Sequence, residues 1–383
     1  MPPVPVTIVA HDVGSVGGME RQLAELALGL RECGHDVTVI ARKCVLPADC
    51  GVSVRIVRVP RRPFLLYYLW FLVTGSIAVA RHRRGVVQAT GAIVLNRVDA
   101  ISVHACQQIY SRVPSARDGR AGGYERLVAA VKRGVERVCF ARNSNARFVC
   151  VSNGVADEVR RCFPSLEKNV LTIHNGVDTQ AFAPGARAEQ AAHLRAQLAI
   201  ADDRLVLAFV GGIWEHKGLP LVIRALADAH AWELVVAGKG DARRAGELAA
   251  DAGVRDRVHF LGVRRDIETV YELADAFTLP SRYETFSLVT FEAASYGLPI
   301  LATRVSGVSE LIEDGHNGYL IDADAGELAS RLRELGRDPA LRERLGAAAR
   351  ETALTYTWEQ MVRAHHELFT RIAPERGYQS AVA

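Results

Sequence analysis

Two carboxylates, Glu284 and Glu292, stand eight residues apart in the run Pro280-Ser281-Arg282-Tyr283-Glu284-Thr285-Phe286-Ser287-Leu288-Val289-Thr290-Phe291-Glu292-Ala293. A helix beginning near Phe286 would set them about 12 Å apart along its axis, at ~1.5 Å rise per residue. That separation lets one acid hold sugar hydroxyls and the other a nucleoside ribose, with a diphosphate bridging over the helix start. Carboxylates offer paired acceptor oxygens to hydroxyls, and the orphan N–H groups and dipole of a helix start favour an anion. A plainer reading makes Glu284 a dipole partner and Glu292 a solvated helix residue; the apolar neighbours Phe291, Ala293 and Ala294 weigh against it. A second anion-favouring feature is the stretch His11-Asp12-Val13-Gly14-Ser15-Val16-Gly17-Gly18-Met19-Glu20-Arg21, whose glycines let the backbone approach a ligand at a helix start. Gly14, Gly17 and Gly18 do not fit G-x-G-x-x-G, and Arg42-Lys43 stands where an acid should follow the second strand. A dinucleotide oxidoreductase is therefore disfavoured.

These groups need a scaffold. Short β-branched runs at 6–10, 37–41, 54–59, 86–89, 101–104 and 148–151 alternate with helical patterns, as in α/β layers around a parallel sheet. Leu23, Leu26, Ala27 and Leu30 recur at helical spacing, so 20–33 reads as an amphipathic helix stopped by Gly34. A last strand near 170–173 leads to the turn Asn175-Gly176-Val177-Asp178 and a Pro/Gly-containing stretch. The pattern then restarts with strands at 205–210, 234–237, 258–261, 276–279 and 300–302. The expected fold is α/β: two Rossmann-like doubly wound domains, 1–178 and 179–356, facing across a cleft. A final helix near 357–372 (segment 357–383) crosses back. Ligands in such sheets sit beyond the carboxyl ends of the strands. The Asp322-Ala323-Asp324 triplet mimics a metal-binding D-x-D but reads as a turn plus helix cap.

A chain of 383 residues, 49% hydrophobic and 23% charged, is of two-domain size and globular composition. Seven cysteines without a C-x-x-C pair argue for reduced thiols, and the N-terminus lacks the pattern of a secretory signal. The expectation is a cytoplasmic protein. Residues 1–178 hold 24 Lys and Arg against 14 Asp and Glu, whereas the remainder holds 23 against 29. A basic half suggests an anionic partner such as a membrane surface or a phosphorylated acceptor, with uneven scatter as the bland alternative. Nucleic acid is disfavoured, because no aromatics interleave with the basic residues. The segment 64–80 is free of charge and flanked by Arg61-Arg62-Pro63 and Arg81-His82-Arg83-Arg84. A buried sheet-covering helix is the first reading, a helix touching the inner membrane surface the second, and a transmembrane span the third.

The Glu284…Glu292 run resembles the E-x7-E motif of the retaining glycosyltransferases of family 4, which share the two-domain GT-B fold. The resemblance runs over essentially the whole chain. Gly17-Gly18-Met19-Glu20-Arg21 is similar to the family's N-terminal glycine loop, Asn175-Gly176-Val177-Asp178 to its interdomain segment, and Val210-Gly211-Gly212-Ile213-Trp214-Glu215-His216-Lys217-Gly218 to its donor-phosphate motif. The stretch from Asp275 to Ala302 matches its most diagnostic region, and the Trp358 helix its C-terminal crossover. The resemblance implies transfer of a hexosyl unit from a UDP- or GDP-sugar to an acceptor hydroxyl, with retention and with no required metal or cofactor. Lys217 would hold the donor diphosphate, Glu284 the transferred sugar and Glu292 the ribose. Backbone N–H groups at Thr285, Phe286, Ser287, Gly17 and Gly18 would meet phosphate or sugar oxygens. His104 fits the family's sugar-side histidine; a loop histidine with satisfied hydrogen bonds is the other reading, since His11 and His174 also end strands. Gly212 stands where the family usually has arginine, leaving phosphate charge to Lys217 with help from His216, Arg264 or Arg282. The acceptor expected is a sugar or lipid-linked glycan of the cell envelope. A catalytically weak binding or scaffold protein and a sugar-nucleotide epimerase on the same fold are the alternatives.

Overall fold

The computed structural model describes residues 3–15, 17–60, 62–113 and 122–378; Val16 of the glycine loop and Arg61 of the basic flank lie outside the described residues. The chain divides into two compact units, one of residues 1–113, 117–176 and 358–383, the other chiefly of 177–357. Each is built on one parallel sheet whose inner strands are largely buried on both faces, the arrangement that helices covering a sheet impose, while the edge strands 53–56 and 258–262 stay partly exposed.

In the first unit the strands are β1 (Val6–Val13), β2 (Val37–Cys44), β3 (Ser53–Ile56), β4 (Val86–Thr90), β5 (Ala100–Val103), β6 (Arg147–Cys150) and β7 (Val170–Thr172), in the order β3-β2-β1-β4-β5-β6-β7. The order reverses between β1 and β4, which makes this a doubly wound sheet with its switch point beside β1. The amphipathic helix is Gly18–Glu32 and buries Leu23, Leu26, Ala27 and Leu30. The last helix, Trp358–Glu375, belongs to this unit and packs on it so closely that a Cβ on Gly29 would lie 2.4 Å from Val362. All seven cysteines are free thiols.

The second unit holds β8 (Leu205–Val210), β9 (Trp232–Ala237), β10 (Val258–Gly262), β11 (Ala276–Leu279), β12 (Ile300–Thr303) and β13 (Gly318–Ile321), ordered β10-β9-β8-β11-β12-β13. Its switch point falls between β8 and β11. Asp324 caps the helix Ala325–Arg337 by accepting from Glu327 N, so the Asp322–Asp324 triplet is a turn and cap.

Two elements differ from the sequence reading. The helix after β11 starts at Leu288, with Ser287 as its N-cap in the left-handed region (φ 74°), so Glu284 to Ser287 form a loop. The 12 Å axial figure therefore does not describe the carboxylate pair. The segment 64–80 is a helix, Phe64–His82, but it is not simply buried. Tyr67, Tyr68, Phe71, Leu72, Gly75 and Val79 pack inward, whereas the opposite side is exposed. Because large apolar residues fall on both sides and no charge marks either, the sequence carries no periodicity to reveal which side faces out.

Candidate functional site

The loops leaving β8 and β11 part at the second unit's switch point, and close backbone contacts stitch them together. The β8 loop turns tightly, Lys217 N donating to Ile213 O at 3.2 Å, and enters the helix Leu219–Leu226 through Gly218 at φ 86°. A Cβ on Gly218 would lie 2.1 Å from Pro280 O in the β11 loop. Arg282 N donates to His216 O at 3.1 Å. Trp214 anchors the base of the turn: its ring N–H reaches Gly211 O at 3.0 Å and its face stacks on Phe260 at 5.4 Å.

This stitching brings Lys217 Nζ to 2.5 Å from Glu284 Oε1. Ser281 Oγ donates to the same oxygen at 2.6 Å, and Ser281 O in turn accepts from Thr303 Oγ1 at 2.5 Å on β12. Glu284 is 7% exposed. Both bonds fall on Oε1, so among the described residues Oε2 has no protein partner and remains an acceptor for a ligand hydroxyl. An ammonium carries three donors; Glu284 engages one, which leaves two for phosphate oxygens.

Glu292 lies inside the helix Leu288–Ser295 and is buried, with Tyr271 OH donating to Oε2 at 3.1 Å and to Val289 O at 3.2 Å. At the start of this helix no protein acceptor is recorded among the described residues for the N–H groups of Thr285, Ser287, Leu288 and Val289. A run of orphan donors at a helix start is an anion cradle. Phe286 does not point into it; its ring is buried and stacked on Phe291 at 4.1 Å, fixing the loop from below. Ser287 (φ 74°) and Ile213 (φ 52°) are non-glycine residues held in the left-handed region, one in each loop. Such conformations cost about 1–3 kcal/mol each and persist where the surroundings over-determine them, commonly at ligand sites.

Arg264 is engaged by a near neighbour. Its guanidinium clasps Asp266 through Nε at 3.1 Å and Nη2 at 2.5 Å, beside the helix Ala188–Gln197. Gly212 leaves open space: an added Cβ would meet only Lys239 O, at 3.7 Å. In the first unit, Gly17 (φ 97°) caps the helix Gly18–Glu32, and a Cβ there would collide with Glu20 Oε2 at 2.2 Å. His104 follows β5, shares a 3.2 Å contact between Nε2 and Ser102 Oγ, and is pushed down to about 4 by burial, with His365 nearby adding to the effect. It is a neutral imidazole at physiological pH. Ser281, Tyr271 and Thr303 were missed by the sequence reading. Ser281 lies inside the motif run, three residues before the acid it holds; Tyr271 and Thr303 carry no local signal.

A lysine, a buried carboxylate and a helix start with unpaired N–H groups thus meet at the switch point of a doubly wound unit. Two family models match in succession: Glycosyltransferase Family 4 over residues 16–181 and Glycosyl transferases group 1 over residues 190–352. The chain belongs to glycosyltransferase family 4 and has the GT-B fold. An uncharacterized glycosyltransferase of Methanocaldococcus jannaschii is 28% identical over 91% of this chain and 93% of its own. A D-inositol 3-phosphate glycosyltransferase of Mycolicibacterium smegmatis is 35% identical, over 50% of this chain and 45% of its own length. Among solved structures, WaaG, a glycosyltransferase involved in lipopolysaccharide biosynthesis, superimposes with a TM-score of 0.80 at 21% identity, covering 95% of this chain and 99% of that one. HepE from Anabaena, in complex with UDP-glucose, gives 0.73 at 18% identity over 96% and 100%.

Proposed function

We propose that the second unit binds a UDP- or GDP-sugar, and that the enzyme transfers the sugar with retention to an acceptor hydroxyl on a lipid-linked or cell-envelope glycan, at the cytoplasmic face of the membrane. The observation that carries this is the convergence of Lys217 Nζ and Glu284 Oε1 at 2.5 Å between the two switch-point loops, beside unpaired N–H groups. Lys217 and those N–H groups grip the diphosphate, Glu284 Oε2 receives sugar hydroxyls, and Glu292, steadied by Tyr271, receives the ribose. As the bond from the anomeric carbon to the phosphate oxygen breaks, its electron pair passes to the leaving diphosphate. The acceptor oxygen bonds to the same face of that carbon, and its proton goes to a leaving phosphate oxygen. Fixed donors aimed where this charge develops are the kind of preorganisation that dominates catalysis, and the cation and amides present supply it without calling on a metal. His104, Gly17 and Gly18 form the first unit's ligand-facing set at the carboxyl end of its own sheet. The UDP-glucose complex of HepE supports a nucleotide-sugar donor.

A screen of UDP-, GDP- and ADP-sugars tests the reading, following nucleoside diphosphate release chromatographically and the product anomer by NMR. Donor-dependent release with a retained anomer supports it. Nucleotide binding without release for any donor and any envelope-lipid acceptor would favour the scaffold alternative, and isomerised free donor the epimerase.

A further inference from the structure

The helix Phe64–His82 has two apolar sides but only one core to cover. Its outward residues Leu66, Leu69, Trp70, Val73 and Ile77 are 39–54% exposed. At 100° per residue they fall within an arc of about 100°, so they form one continuous stripe. No charged residue occurs from Phe64 to Ala80, whereas the solvent side of a helix in a soluble domain ordinarily carries charge. The helix Gly123–Arg142 lies alongside: Leu65 N donates to Tyr124 OH at 3.0 Å, and Lys132 Nζ sits 6.0 Å from the Phe64 ring. Its own outward positions include Leu127 and Val138, both more than half exposed. Cations rim this surface. Arg62 and Arg81 flank the first helix and Arg126 and Arg137 lie on the second; all are exposed, and among the described residues none of the four pairs with an acid.

We infer that this face docks on an anionic lipid bilayer, its apolar stripe entering the boundary between headgroups and acyl chains and its arginines meeting lipid phosphates. The helix is long and apolar enough to cross a membrane, but it is fastened from behind. Phe71 and Tyr67 pack against His11 of β1, and Tyr68 OH donates to Ala92 O at 2.8 Å. It therefore lies on a membrane without crossing it. A second copy of the chain is the rival occupant, but a two-fold pairing of this face on itself would set unpaired arginines against arginines. The inference deepens the acceptor half of the proposed function by naming the surface on which a lipid-linked acceptor is met, and docking is read without turnover, so the two can fail separately.

The experiment is flotation of the full chain with phosphatidylcholine vesicles and with vesicles containing 30% phosphatidylglycerol, at low and high salt, with sedimentation velocity run in parallel. The expected result is at least tenfold stronger partition to the anionic vesicles, weakened by salt. Val73→Asp, at a position 54% exposed where the melting curve should not change, should lower partition at least tenfold on both vesicle types. Arg81→Glu with Arg126→Glu should remove the preference for phosphatidylglycerol. Wild-type protein that stays with the unfloated fraction, or Val73→Asp that floats like wild type, overturns the inference. A dimer that Val73→Asp dissolves, with no vesicle binding, assigns the face to a second copy instead.

Discussion

Replacing Glu284 by Gln tests the centre of the site while keeping its shape. The change removes the negative charge that faces Lys217 Nζ at 2.5 Å and turns one carboxylate oxygen into an NH2 donor, while the amide oxygen can still accept from Ser281 Oγ, 2.6 Å away. A hydrogen bond to a charged group contributes ~1.5–3 kcal/mol, and stranding one member of a fully buried pair costs ~3–5 kcal/mol. The Lys217 side chain is 23% exposed against 8% for Glu284, so water recovers part of this. We expect a loss of about 2 kcal/mol in stability, which for a unit of this size lowers its melting temperature by about 4–8 °C. Transfer should fall further, because the sugar loses its acceptor and the lysine its alignment. A deficit of ~3–4 kcal/mol corresponds to a drop of about 10²–10³ in kcat/KM. The assay is chromatographic release of nucleoside diphosphate from the preferred donor, with urea unfolding of Glu284→Gln, Lys217→Met and the double variant to close a cycle. The sum of the two single losses should exceed the loss in the double variant by at least about 1 kcal/mol. Strict additivity, or Glu284→Gln turnover within threefold of wild type, refutes the reasoning.

Other substitutions probe the supports. Gly218→Ala sets a Cβ 2.1 Å from Pro280 O at a left-handed position; it should destabilise the second unit by about 2 kcal/mol or more and misplace Lys217, seen as a lower melting temperature and a lower kcat. Gly212→Arg should be accepted without loss of stability, because an added Cβ meets only Lys239 O at 3.7 Å, and should tighten nucleoside diphosphate binding about tenfold by calorimetry if the site lacks a second cation. Tyr271→Phe removes the donor to Glu292 Oε2, costing about 1 kcal/mol of stability and raising KM for the donor more than it lowers kcat. Burial lowers His11, His104 and His365 to about 4 from an ordinary 6.5. The unfolded chain therefore binds more protons between those values, and stability is full above about 6.5 and falls as pH drops toward 4, by up to about 1.4 kcal/mol per pH unit for each histidine. Urea unfolding at pH 7, 6 and 5 should show that slope, and His365→Asn should flatten it by about one proton; an unchanged slope in that variant counts against the assignment.

The strands were readable because β-branched runs such as 205–210 and 234–237 have few other uses. β13 was harder, since four residues opening on Gly318 give little pattern. Glu284 and Glu292 were found through their spacing and Lys217 only through the resemblance of its loop to the family's donor-phosphate motif; Lys217 does meet Glu284. What the sequence concealed was tertiary. Ser287 looks like an ordinary polar cap, so nothing local announces its left-handed backbone or moves the helix start from 286 to 288. Ser281 and Tyr271 act on their carboxylates only because β11, β12 and the preceding helix converge. Arg264 looked free as a residue type, yet a neighbour two positions away, Asp266, engages it.

The return of the last helix, Trp358–Glu375, to the first unit has a consequence for biosynthesis. The second unit is one nearly continuous stretch of chain and holds all it needs once Thr357 has left the ribosome. The first unit begins to emerge earlier, yet it cannot close until Phe369 and Ile372 arrive to cover its apolar flank. The half that starts first therefore finishes last, and a polypeptide released early keeps a sound second unit and an unsealed first one that cellular proteases can recognise.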